Sequence, residues 1–230
     1  MCGRFSVAAP KKELADYFNV EAFQEAFLPR YNAAPSQNLP VMIYDGKKIL
    51  TLMRWGLIPH WANDPGLGSR MINARAETLD IKPSFKGCLD RKRCLIPADG
   101  FYEWRKDGSH RTPYRFIMKN RPLFSMAGLW DTWNTSDGLI VYSFTIITTR
   151  ANLMMSFVHD RMPVILPRES EALWLEDERL PLKDRLNLLQ PVADGDMSCY
   201  PVSTKLNSPL YDDPSLIDPV GNAPDFLNSL

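Results

Sequence analysis

Nineteen prolines are spread along the whole 230-residue chain, and they constrain its fold more than any other feature. Proline fixes φ and donates no backbone hydrogen bond, so it interrupts helix interiors and central strands. Scattered in this way, the prolines point to many short strands joined by fixed loops. There is no internal repeat, and no linker-like run divides the chain into halves. After Pro10, the segment KKELADYF places Leu14, Tyr17 and Phe18 at i, i+3 and i+4, which predicts a short amphipathic helix over 11–18. A proline-bounded loop, LPRYNAAPSQ, follows. Val41–Tyr44 and Lys48–Trp55 flank Asp45-Gly46, the signal of a β-hairpin.

Further strands are predicted at Cys94–Pro97, Phe101–Arg105, Pro113–Met118, Leu123–Leu129 and Leu139–Thr148, some separated by the turn clusters KDGSH and NTSDG. Helices are predicted at Arg150–Phe157, Glu169–Glu176 and Leu182–Leu189, the last with Leu182, Leu186 and Leu189 on one face. Strands fill the middle and helices the ends, without βαβ alternation. The expected fold is therefore α+β: a single domain over 1–230 with a curved, mostly antiparallel, barrel-like sheet flanked by helices, and a loosely packed tail at 221–230. No glycine-rich phosphate loop is present, so Rossmann and P-loop readings fail.

Apolar residues make up 45% and charged residues 23%, proportions that support a real core and exclude the disordered classes. No stretch approaches the roughly 20 apolar residues of a membrane span, and MCGRFS lacks the basic and apolar regions of a secretory signal. A cytoplasmic protein without membrane contact is expected. Lys plus Arg and Asp plus Glu both number 27, which excludes binding driven by bulk positive charge. Residues 70–93 nevertheless hold seven bases against three acids, whereas 206–230 hold four acids and no base. That asymmetry permits a basic face for a polyanion as well as an unevenly charged solvated surface. The four cysteines form no C-x-x-C pair and the three histidines fall in no zinc spacing, so neither a metal nor a cofactor is expected. Cys88, Cys94 and Cys199 read as small apolar fillers.

Cys2 differs because of its position. Removal of Met1, normal before a small second residue, would leave an α-amine and a thiol on adjacent carbons. The α-amine, with a pKa near ~8, is partly neutral and nucleophilic at physiological pH. Such an aminothiol attacks an aldehyde through nitrogen, and sulfur then closes a five-membered ring in an intramolecular step. Gly3 permits close backbone approach, and Arg4 supplies a cation suited to phosphate. Three further polar islands stand in apolar or proline-bounded settings: Asn73 in MINARAET, Glu103 in PADGFYEW and His159 in FVHDRMP. Each also has a plain structural reading. Asn73 could cap a helix over AETL, Glu103 could face water from its strand, and His159 could be a hydrogen-bonded structural side chain. Sequence spacing alone brings none of them together.

MCGRF at the start, RYNAAPS at 30–36, WGLIP at 55–59, INARAET at 72–78, ADGFYEW at 98–104, HDRMPVIL at 159–166 and YPVS at 200–203 occur in that order. The chain resembles the SOS-response-associated peptidase (SRAP) family from Cys2 to about Val220. The resemblance implies a sensor of abasic sites in single-stranded DNA that forms a covalent DNA–protein cross-link, a thiazolidine between Cys2 and the ring-opened sugar. It implies that Asn73 holds the abasic sugar, Glu103 handles protons near the amine, and His159 assists ring opening. Arg4 and Arg75 match arginines that grip phosphates. Trp61 stands where the family has an aromatic wedge, but Ala62 replaces a frequent second tryptophan there. The implied protein is a monomer at damaged DNA in the nucleoid, an enzyme to which DNA lyase and (auto)peptidase steps also attach. Two other functions fit the same residues: a thiol peptidase with Cys2 as nucleophile, His159 as base and Glu103 as orienter, and a single-stranded DNA-binding module without chemistry.

Overall fold

A computed structural model describes residues 2–23, 27–176 and 179–221. The tail expected at 221–230 lies outside them apart from Gly221. The strands are β1 (Phe5–Val7), β2 (Ala22–Phe23), β3 (Arg30–Ala33), β4 (Asn38–Tyr44), β5 (Lys48–Trp55), β6 (Asn73–Arg75), β7 (Arg93–Ala98), β8 (Gly100–Asp107), β9 (His110–Met118), β10 (Phe124–Asn134), β11 (Ile140–Arg150), β12 (Arg161–Pro163) and β13 (Met197–Pro201). The helices are α1 (Lys11–Phe18), α2 (Pro83–Arg91), α3 (Leu153–Ser156), α4 (Arg168–Leu175) and α5 (Leu182–Asn187).

Strands β11, β10, β7, β4 and β5 follow one another in antiparallel order, and β5 then pairs back onto β11 in parallel at Arg54–Ser143 and Trp55–Phe144. That last pairing closes a five-stranded barrel. β6 and β12 extend the sheet at β11, and β2 extends it at β5. A second antiparallel sheet, ordered β13-β9-β8-β1-β3, packs against the barrel. Phe5 from this sheet meets Trp55 of the barrel at 5.2 Å between ring centroids, and Trp55 stacks on Phe144 at 6.2 Å. Both sheets thus share one core, in which Phe5, Trp55, Phe101, Phe116 and Phe144 are essentially buried. Each such ring contributes about 1.5–3 kcal/mol by leaving water. Cys88, Cys94 and Cys199 are buried free thiols, as apolar fillers should be.

The α+β, mostly antiparallel and barrel-like architecture read from the sequence is the one observed. The helix at 11–18 and the strand at 48–55 have the expected bounds, and Gly46 turns the hairpin at φ 69°. Other expectations need correction. The helix expected over 150–157 shrinks to Leu153–Ser156: Arg150 stays in β11 opposite Arg161, and the Asn152 side chain caps Met155 N–H. The helix expected over 182–189 stops at Asn187 and Leu182 is exposed, so its apolar face rests on Leu186, with Leu189 buried just past its end. Prolines also sit inside strands rather than only between them. Pro163 and Pro201 lie on edge strands, where a missing donor is tolerated. Pro40 and Pro97 flank a β4–β7 seam that pairs at one position, Met42–Leu95.

Candidate active site

The N-terminal strand sets the site. Phe5 pairs with Phe101 and Ser6 with Gly100, and Tyr102 N–H donates to Arg4 O at 3.0 Å. This ladder brings Glu103 next, beside the Cys2–Gly3 segment. Cys2 is fully buried, and its carbonyl accepts from Asn73 Nδ2 at 2.8 Å. Asn73 is not a helix cap. It opens β6, in parallel register with Ile146 of β11, and Arg75 caps the following 3-10 turn. Trp55 Nε1 donates to Ile72 O at 2.9 Å and Leu57 N–H to Met71 O at 3.1 Å, which fixes the approach to β6.

Burial pushes the Cys2 thiol far above its ordinary range, and the nearby Glu103 charge adds to the shift. The same burial lifts Glu103 to about 7, so its carboxyl does not face water and can exchange a proton near neutrality. Asn73 Oδ1 is buried without a hydrogen-bond partner among the described residues. An acceptor left in that state costs about 1–3 kcal/mol until a donor reaches it.

His159 lies just before β12, and partial burial lowers its pKa. Its Nδ1 is 3.0 Å from the Arg161 N–H, from which the neutral ring accepts, and 2.8 Å from Asp160 Oδ1, to which the imidazolium donates. The Arg161 guanidinium grips Glu77 at 2.6 and 2.9 Å and Thr148 O at 2.6 Å. The Asp160 charge acts on Glu103, and the Lys106 charge acts on His159. Cys2, Asn73 and Glu103 thus come together although they are scattered in sequence, and the His159 loop lies within electrostatic reach of β8.

The predicted DNA-contact residues fall into different settings. Arg4 is half-buried, and its guanidinium donates to Asn32 Oδ1 and Leu206 O at 2.7 Å each and to Asn207 O at 3.2 Å. It braces the fold with the groups offered for phosphate. Arg75 is exposed, two residues from Asn73 along β6. Trp61 is half-exposed on a turn held by Asp131, which accepts from His60 N–H at 2.9 Å, and by Trp133 Nε1, which donates to Ala62 O at 2.7 Å. The basic run 70–93 is divided. Arg93 is buried against helix-end carbonyls and Lys92 pairs with buried Asp131, whereas Arg70, Arg75, Lys82, Lys86 and Arg91 are exposed.

Residues 1–209 match the SOS response associated peptidase (SRAP) family. The chain belongs to the SRAP family. The abasic site processing protein YoqW of Bacillus subtilis (strain 168) is 46% identical over 222 residues, spanning 95% of this chain and 99% of its own. Abasic site processing protein HMCES of Xenopus tropicalis is 33% identical over 216 residues, spanning 80% of this chain and 64% of its own. A crystal structure of a protein from Bacteroides thetaiotaomicron superposes with a TM-score of 0.88 at 29% identity, covering 95% of this chain and all of that one.

In this SRAP chain, Glu77 and Arg161 pair beside the His159 loop without having been singled out from sequence. They lie inside INARAET and HDRMPVIL, and a charge of each sign in those motifs was the available signal. Among the described residues no three His, Cys, Asp or Glu side chains cluster as a metal site requires. No described helix is long and apolar enough to cross a membrane.

Proposed function

We propose that this SRAP protein captures abasic sites in single-stranded DNA, acting as a monomer and as one domain, once Met1 has been removed to free Cys2. The α-amine attacks the aldehyde carbon of the ring-opened sugar, and the resulting carbinolamine loses water to an imine. The thiol then adds across the C=N bond: sulfur bonds to carbon, the proton goes to nitrogen, and a thiazolidine results. Glu103, lifted to about 7 by burial, takes the proton of the attacking amine and returns one to the departing oxygen. His159, with its lowered pKa, serves the sugar oxygen during ring opening. The unpartnered Asn73 Oδ1 accepts from a sugar hydroxyl while Nδ2 keeps the Cys2 backbone in place. Arg75 and Trp61 hold the strand through a phosphate and a stacked base.

The observation that carries this reading is the hydrogen bond from Asn73 to Cys2 O beside a buried carboxyl that titrates near neutrality. Abasic-site processing by relatives at 46% and 33% identity supports it. The thiol supports it as well. Held protonated by burial, it lacks the thiolate character of a thiol peptidase, so an amine-first route suits it better.

The test incubates Met1-processed protein with a single-stranded oligonucleotide bearing one abasic site, followed by a denaturing gel without reductant. A stable shifted band is expected, absent with intact DNA and absent for Cys2→Ala. Cys2→Ser keeps the amine and should give a shorter-lived adduct. A complex seen on native gels alone would reduce the protein to a binding module. Peptide turnover without a shifted band would assign it to peptidase chemistry.

A further inference from the structure

Past residue 102 the β8–β9 hairpin runs on without its β1 neighbour. β1 begins at Phe5, the last rung among the described residues is the bond from Tyr102 N–H to Arg4 O, and the pairs Trp104–Pro113, Lys106–Arg111 and Asp107–His110 follow. No other described strand pairs along that edge. Trp104, Lys106 and Arg111 share one face of the hairpin, because opposed and alternate residues of a ladder point the same way. On this face Trp104, Arg111 and Asn207 line a cleft of about 340 Å³.

The cleft is braced. Trp104 Nε1 donates to Asn207 Oδ1 at 2.7 Å, and the Arg4 guanidinium lies 5.9 Å from the indole centroid while holding the Leu206 and Asn207 carbonyls. Lys106 and Arg111 stand directly opposed, an arrangement that repels unless an anion lies between them. Arg4, two residues past Cys2, lies over Trp104, and Glu103 precedes Trp104 in β8 with its side chain on the opposite face, so the cleft lies across the strand from the cluster around Cys2.

We infer that this cleft holds the nucleotide next to the abasic residue, its base stacked on Trp104 and its phosphate between Lys106 and Arg111. The inference rests on the capture reading: a strand held at Cys2 reaches the cleft by crossing the hairpin edge along which no other described strand pairs. The volume stands at the lower end of the roughly 300–1,000 Å³ of small-ligand sites, which suits one base. An aromatic platform beside cations binds single strands without reading their sequence.

The test uses Met1-processed wild type, Trp104→Leu and Arg111→Ala with fluorescent single-stranded oligonucleotides carrying a stable, unreactive abasic analogue. Two companion oligonucleotides also lack the base immediately 5′ or 3′ of that analogue. Wild type should lose about tenfold in affinity for one companion, the scale of one stacked base. Trp104→Leu should bind the parent oligonucleotide about tenfold more weakly and lose less than twofold more on the companion. Arg111→Ala should weaken binding several-fold and flatten its salt dependence. Circular dichroism checks each fold, and Asn207→Ala replaces Trp104→Leu if the latter does not fold. Equal base-removal losses in wild type and Trp104→Leu, or no loss at either neighbour, would overturn the inference while the Cys2 cross-link still formed. A wild type that cross-links no abasic DNA would overturn the capture reading, and the inference with it.

Discussion

Glu103→Gln should make the protein more stable at alkaline pH while disabling it. Burial raises the Glu103 pKa from 4.5 to about 7. Below pH 4.5 the carboxyl is protonated in the folded and unfolded chains alike. Between pH 4.5 and about 7 the unfolded chain releases the proton first, so folded stability falls as pH rises through the folded pKa and is level above it. The shift corresponds to about 3 kcal/mol, at 1.36 kcal/mol per pH unit. Glutamine keeps the shape of the neutral acid and ionises at no pH, so the variant escapes this loss. The two proteins should be equally stable near pH 4.5. At pH 8.5 the variant should lead by up to about 3 kcal/mol, a melting-temperature gain of about 6–12 °C for a chain of this size. Urea unfolding of DNA-free protein at intervals from pH 4.5 to 8.5 measures the difference directly. In the same preparations the cross-linking rate should fall by about 100-fold, the usual scale of a lost general acid–base group. Parallel stability curves, or a variant less stable than wild type at pH 8.5, would show that the carboxylate is stabilised in the fold and that the argument from burial is wrong.

Asn73→Ala removes the 2.8 Å bond to Cys2 O but also an unpartnered buried oxygen; these effects oppose each other, so stability should change by no more than about 1 kcal/mol while cross-linking slows at least tenfold on gels. Gly128→Ala would place a methyl 2.3 Å from Ile96 Cδ1 and 2.7 Å from Thr145 O, and with both neighbours inside the barrel wall the urea midpoint should drop by the equivalent of about 1–3 kcal/mol or more; an unchanged midpoint would mean that the barrel yields easily there. Asp131→Ala strips Lys92 of its partner and releases the turn bearing Trp61. Because Lys92 is one-third exposed, the cost should stay near about 2 kcal/mol, below that of a fully buried pair. DNA affinity by anisotropy should weaken while the cross-linking rate at saturating DNA holds.

Elements with their own periodicity were legible in the sequence, and those defined by partners were not. KKELADYF carries its helix in the spacing of Leu14, Tyr17 and Phe18, and β5 follows an Asp-Gly turn that marks its hairpin. β1, β6 and β12 have three residues each, too few for a period of two to register, and they exist because β8 and β11 offer them edges. α2 was hidden because Pro83 and Gly87 read as breakers, although proline suits the first helical turn. The same division runs through the site. Cys2 could be read alone because its chemistry follows from its position in the chain. Asn73, Glu103 and His159 acquire shared meaning only when those short strands dock: β1 delivers Cys2 to β8, β6 hangs Asn73 from β11, and β12 anchors the His159 loop on β11. Arg4 shows the opposite case. Its motif suggests a phosphate grip, yet tertiary contacts commit its guanidinium to Asn32 and the 206–207 carbonyls. The guanidinium that the motif offers for phosphate thus also braces the wall beside Cys2, whereas the fold leaves Arg75 and Arg111 exposed.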